Sequence, residues 1–189
     1  MKKWLILSIV LLMSGCLGGY SPESRFYNLQ PRKALVEVLS GKIVVGVNEA
    51  ELPDYLSRQQ IVSFNDENSE VGIAETDRWA EPLETMLQRV VTADIANDLP
   101  NALVLSKSSL TERFDLIVDI QIVRFDMVEN KDAVLEAWWY IKDGNRKLLY
   151  RGKSNLRQKI DGGYEQYVST MSNLVAKMCA DIAEKIAKI

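Results

Sequence analysis

Histidine is absent from this chain of 189 residues. Its absence removes the Ser-His-Asp triad, Cys-His pairs, HExxH zinc sites and every other imidazole general base. Cysteine is scarce. Cys16 and Cys179 lie 163 positions apart, so they form neither a CxxC redox pair nor a multi-cysteine zinc site. There is no GxSxG nucleophile elbow and no glycine-rich phosphate loop. Carboxylate pairs such as Glu49/Glu51 and Asp115/Asp119 would share a strand face, but ordinary solvated faces carry the same pattern. Charge of one sign does not dominate either. A net charge of -3 argues against a general nucleic-acid binder. With 47% hydrophobic and 26% charged residues, the chain suits one globular domain and is too short for two. Composition therefore leans away from an enzyme, and no cofactor or metal is expected.

What is present begins at the amino terminus. Lys2 and Lys3 precede an apolar run from Trp4 to Met13. That run is shorter than the roughly 20 residues a membrane span needs, and it has the layout of an export signal. Leu12-Met13-Ser14-Gly15-Cys16 then resembles the bacterial lipobox, with Met13 where Leu is preferred. There the cysteine sulfur takes a diacylglycerol and the signal is cut just before it. Residues 1–15 are read as a lipoprotein signal peptide and Cys16 as the lipidation site, with a covalent lipid as the only added group. Each buried methylene contributes about 0.8 kcal/mol, so several long chains hold a protein on a membrane. Leu17 stands where Asp would retain a Gram-negative lipoprotein at the inner membrane, which points to the periplasmic face of the outer membrane. The mature chain carries 21 Lys and Arg against 26 Asp and Glu, a net charge of -5.

Residues 16–24 read as the lipidated cysteine and a short tether, rich in Gly and Ser with one Pro. At about 3.3–3.6 Å per residue the tether keeps the domain within about 30 Å of its lipid. Residues 25–189 read as a single α/β domain. Strands are expected at Arg25–Leu29, Lys42–Val47, Gln60–Phe64, Val71–Glu75, Ala102–Leu105, Phe114–Met127, Val134–Lys142 and Lys147–Ile160. Asn65 to Ser69 reads as a hairpin turn. It lacks the spacing and glycine of an EF-hand calcium loop. One long helix is expected over Trp79–Leu99, capped by Thr76 or Asp77, and a second over Tyr164–Ile189. Cys179 falls on the apolar stripe of the second. In Phe114–Met127, Leu116, Val118, Ile120 and Ile122 fall on one face, with Ile117, Val123 and Phe125 on the other. That two-sided pattern, with Trp138 and Trp139 pointing opposite ways, leads to a mixed β-sheet with long helices on both faces, a three-layer arrangement.

Three strings carry a resemblance: Ser24-Arg25-Phe26-Tyr27-Asn28-Leu29, Leu52 to Val62 (LPDYLSRQQIV), and Asp77 to Leu83 (DRWAEPL). Behind a lipobox, they resemble the auxiliary lipoproteins of ABC-type and MCE transport systems, and among these the paraquat-inducible protein C (PqiC, YmbA-like) family. The similarity covers most of the mature chain in order. The family often has Pro after the Arg of the second string and a basic residue after its IVS or IVT; here Gln59 and Phe64 stand there. The resemblance implies a non-enzymatic accessory subunit of an envelope lipid transporter, supporting membrane integrity. Its partners would be an MCE-domain transporter protein (PqiB-like) and that protein's inner-membrane partner, with a ring-like homo-oligomer around the tube end. Tyr55, Arg58, Gln60, Arg78, Trp79 and Glu81 are candidate partner contacts, because exposed Arg and aromatics are the usual hot spots. The alternative is structural: Trp79 packs, while Arg78 and Glu81 pair or solvate. A structural lipoprotein of another envelope assembly is the second functional reading.

One feature needs no family. Residues 142–159 hold seven cations against Asp143 alone, +6, which leaves the rest of the mature chain at -11. On the return strand Lys147, Arg151, Lys153, Arg157 and Lys159 occupy odd positions on one face, with Leu148, Tyr150, Leu156 and Ile160 on the other. Such a stripe suits anionic lipid headgroups or an acidic partner. It equally suits an edge strand protected from sheet-to-sheet pairing.

Overall fold

The computed structural model describes residues 22–32, 42–67, 69–106, 113–128 and 131–189. Cys16 and the signal lie outside them. The described strands are β1 (Arg25–Tyr27), β2 (Ile43–Val47), β3 (Gln60–Phe64), β4 (Val71–Trp79), β5 (Ala102–Ser106), β6 (Leu116–Val128), β7 (Asp132–Asp143) and β8 (Leu148–Lys159). Helix α1 spans Leu83–Asp98 and α2 spans Tyr164–Ile186, and a 3-10 turn occupies Asp54–Leu56. None of the described helices is long and apolar enough to cross a membrane.

The long strand β6 is the spine of one eight-stranded mixed sheet. Its whole length pairs antiparallel with β7, from Leu116↔Asp143 to Val128↔Asp132. Its other edge is shared. The first half takes β2 in parallel, with Val45↔Leu116, and the far end takes β3, with Phe64↔Val128. Beyond β2 lies β5. Beyond β3 lie β4 and then β1, and beyond β7 lies β8.

The first helix starts later than its periodicity suggests. Trp79 belongs to β4, which extends past Glu75 because β1 pairs with its end in register, Arg25↔Asp77 to Tyr27↔Trp79. Pro82 occupies the N-cap position, and a proline keeps the residue before it extended. Neither Thr76 nor Asp77 caps the helix. Asp77 is buried and instead accepts hydrogen bonds from Arg25 (3.1 Å) and the Tyr27 hydroxyl (2.8 Å). The second helix carries the expected stripe, with Tyr167, Met171, Leu174, Val175, Met178, Cys179 and Ile182 buried. Ile189 lies past its end and is exposed.

The helices do not sandwich the sheet. Both send side chains into one continuous core, and they lie directly against each other, which helices separated by a sheet cannot do. The three-layer expectation is therefore corrected to two helices in a common layer. The two-sided apolar pattern of β6 has another origin. A register shift between Ile122 and Arg124 swaps the parity of the strand, so Leu116 to Ile122 at even positions and Phe125 and Met127 at odd ones all enter the same core. Val123, at the shift, is exposed. Phe125 is thus on the inner face, against the expected assignment.

Candidate docking surfaces

The three strings that carry the family resemblance meet in space. Strands β1, β4 and β3 are neighbours, and the Trp79 N–H donates to the Gln59 carbonyl (2.6 Å) while the Ala80 N–H donates to Tyr27 (2.8 Å). Much of this assembly is architectural. Trp79 is 2% exposed, with its ring 6.0 Å from Phe125 and 6.2 Å from Tyr167. Its indole packs the core and presents nothing to a partner. Glu81 accepts from Arg89 (2.6 Å), which also reaches Asn28 (2.7 Å), so this pair ties the chain after β1 to α1. Tyr55 sits in the 3-10 turn, half-buried, and donates to the Val123 carbonyl (3.3 Å); burial raises its pKa above the ordinary tyrosine value.

The rest reach the surface. Arg58 is exposed. Gln60 pairs with Arg78, which pairs in turn with Phe26, so the three form a row across β3, β4 and β1 on one sheet face. Phe26 is 60% exposed on the edge strand. It lies within the first string, where alternation alone does not say which of Phe26 and Tyr27 faces outward.

The basic stripe is divided by its neighbours. Arg157 pairs with Asp132 (2.9 Å) and with Asp66 (3.1 Å). Arg124 joins the same network through Asp66 (3.2 Å) and a two-toothed bond to buried Asp126 (2.8 and 3.0 Å), its guanidinium 4.7 Å from the Phe64 ring centre. The Asp66 carboxyl is held below its usual range, first by the Arg157 hydrogen bond. The polar turn between β3 and β4 thus supplies one counter-ion, Asp66, to the far end of β8. Lys159 stands in register with Asp132. At the other end Arg151 and Lys153 lie 5.2 and 5.5 Å from the Trp138 ring centre, on the outer sheet face.

Two expectations about this strand are corrected. Lys147 precedes β8, in the turn, where its N–H donates to Asp143 (2.8 Å). Leu148 is not on the core-facing side. A register shift between Ile141 and Lys142 pairs it with Lys142 and turns it outward. Leu148, Leu149 and Tyr150 are 50%, 42% and 38% exposed.

Among the described residues no group of His, Cys, Asp or Glu is arranged to hold a metal ion. Cys179 is fully buried, and burial pushes its thiol well above the ordinary value, so it packs as a small apolar side chain.

A family model described as "ABC-type transport auxiliary lipoprotein component" matches residues 27–183. The chain is 22% identical over 191 residues to the "Intermembrane transport lipoprotein PqiC" of Escherichia coli (strain K12), covering 100% of both. Among solved structures, an uncharacterised protein superposes with a TM-score of 0.74 at 20% identity, over 87% of this chain and 99% of that one. A Xanthomonas campestris protein superposes with a TM-score of 0.68 at 12% identity, over 85% and 93%.

Proposed function

The chain belongs to the family of ABC-type transport auxiliary lipoprotein components, and from that premise we propose that it anchors in the outer membrane and docks the periplasmic tube of an MCE/ABC-type lipid transporter there. The observation that carries this reading is the likeness, along the whole of both chains, to an intermembrane transport lipoprotein. The tether supports it. A domain held within about 30 Å of its lipid cannot shuttle across an envelope, so the partner must supply the span. On this reading the protein is a non-enzymatic adaptor, and a ring of copies around the tube end would match a tubular partner. The row Phe26, Arg78 and Gln60, with Arg58 beside it, is the surface assigned to the MCE-domain partner. It combines an exposed aromatic on the edge strand β1 with Arg78 on the neighbouring strand β4 and exposed Arg58 in the turn before β3.

Cross-linking in intact cells tests the reading. A photo-reactive residue placed at Phe26 or Arg58 is expected to capture an MCE-domain protein, and Arg58→Glu with Arg78→Glu is expected to reduce capture about tenfold or more. Capture of only unrelated envelope proteins, with the lipid anchor intact, would refute it.

A further inference from the structure

Every residue from Gly144 to Arg151 is exposed. Within this run stand Leu148, Leu149 and Tyr150, preceded by Arg146 and Lys147 and followed by Arg151. Exposed apolar side chains are ordinarily scattered singly. Three in succession, at the tip of an edge hairpin and bounded by cations on both sides, have the composition of a segment that rests in a bilayer interface. We propose that the β7–β8 tip, with Arg151 and Lys153 behind it, docks on an anionic phospholipid surface, its aliphatic pair entering the headgroup layer.

Charge favours this occupant. Among the described residues, Arg146, Lys147, Arg151 and Lys153 make no ion pair, whereas Arg157 is matched by Asp66 and Asp132 and Lys142 by Asp119 (2.7 Å). Four cations without an ion pair among the described residues therefore stand together at the tip end of a molecule whose net charge is negative. Lys185, which pairs with Glu184 (3.7 Å), also lies beside them, its ammonium 5.7 Å from the Tyr150 ring centre. The same cations oppose a second copy: antiparallel pairing of two β8 edges would bring like charges face to face.

Reach also favours it, and here the inference rests on the lipoprotein reading. Glu165 and Val168 at the start of α2 line one shallow pocket with Phe26 and Tyr27 of β1, next to where the tether ends, and Lys185 near its other end lies against Tyr150. The helical rise from Tyr164 to Lys185 is about 32 Å. The tether from Cys16 can reach at most about 30 Å. With α2 leaning toward the membrane, the anchor and the hairpin tip touch the same bilayer, and the domain is held in one orientation.

The test uses the mature chain carrying Cys16→Ser, so that no acyl group binds, and vesicles of phosphatidylglycerol with phosphatidylcholine against phosphatidylcholine alone. Sedimentation at low salt is expected to show about twentyfold preference for the anionic vesicles, lost at about 0.5 M salt. Arg151→Glu with Lys153→Glu is expected to remove that preference. Leu148→Ser with Leu149→Ser is expected to weaken binding about tenfold at unchanged salt dependence, with the melting temperature unmoved because both side chains are exposed. Should the charge-reversed chain not fold, Leu149→Cys labelled with an environment-sensitive dye reports instead. A blue shift on anionic vesicles supports the proposal, and no shift overturns it. Equal binding to both vesicle types, indifference to both double variants, or variants that break up an oligomer without changing vesicle binding each overturn it. The assay needs neither anchor nor transporter, so its failure leaves the adaptor reading standing, and failed cross-linking to the transporter leaves this result standing.

Discussion

Trp79 shows how one residue in a recognisable string can serve the fold. It closes β4, pairs with Tyr27 and packs against Phe125 and Tyr167. Trp79→Ala is expected to cost about 3–5 kcal/mol of stability, read as a shift in urea midpoint, because a large buried ring leaves a cavity. Arg58→Ala, at an exposed position, is expected to change stability by less than about 0.5 kcal/mol. Asp94 behaves differently. It is fully buried on α1 and accepts the Arg32 N–H at one oxygen (2.8 Å), while its other oxygen has no partner among the described residues. Burial raises its pKa, with the Arg32 N–H and charge opposing. The unfolded carboxyl ionises near its ordinary value of 3.8, and the folded one keeps its proton to higher pH. Across that window the folded state binds more protons, so stability falls as pH rises, and above the window the loss is constant. Asp94→Asn retains an acceptor for Arg32 and lacks this loss. It is expected to exceed the parent in stability at neutral pH, with the difference shrinking as pH falls toward and below 4 in urea titrations.

Among the elements, register shifts decide more than propensity does. The shift in β6 brings both halves of an apparently two-sided strand onto one core, and the shift at the start of β8 turns Leu148 outward. Between β7 and β8 a different device operates. Gly152 sits against the Trp139 indole, where a Cβ would collide with the ring. The Trp139 N–H donates to buried Ser154 (3.2 Å), and Tyr150 stacks on the ring with centroids 5.4 Å apart. Gly152→Ala therefore forces the indole to shift and is expected to destabilise the fold by about 1–3 kcal/mol, with a changed near-ultraviolet circular dichroism spectrum. The helices were legible because a 3.6-residue stripe is a local property. Tyr167 to Ile186 reads directly from spacing. The start of α1 was not legible, because apolar spacing continues through Trp79 although its backbone is held by pairing to β1, far away in sequence.

At the scale of the whole molecule, the proposed acyl anchor at Cys16 would set where the domain works. Cys16→Ser is expected to move the protein from the membrane fraction to the soluble periplasm and to remove the acyl mass from its amino terminus, by fractionation and intact-mass measurement. It is also expected to abolish cross-linking to the transporter. The charge pattern belongs to this scale as well. A uniform basic stripe in the sequence becomes, in the fold, a neutralised end at Arg157 and an uncompensated end at Arg151 and Lys153.

The family strings and the periodicity of both helices could be read from residues alone, since each depends on neighbours a few positions away. Which of those residues face outward could not. Arg157 meets Asp66 across 91 positions, Arg25 meets Asp77 across 52, and a one-residue change of register reverses every side chain beyond it. Burial of Trp79, exposure of Leu148 to Tyr150 and the single helical layer were therefore settled by tertiary pairing, because strand register and counter-ion placement are long-range properties that no local pattern encodes.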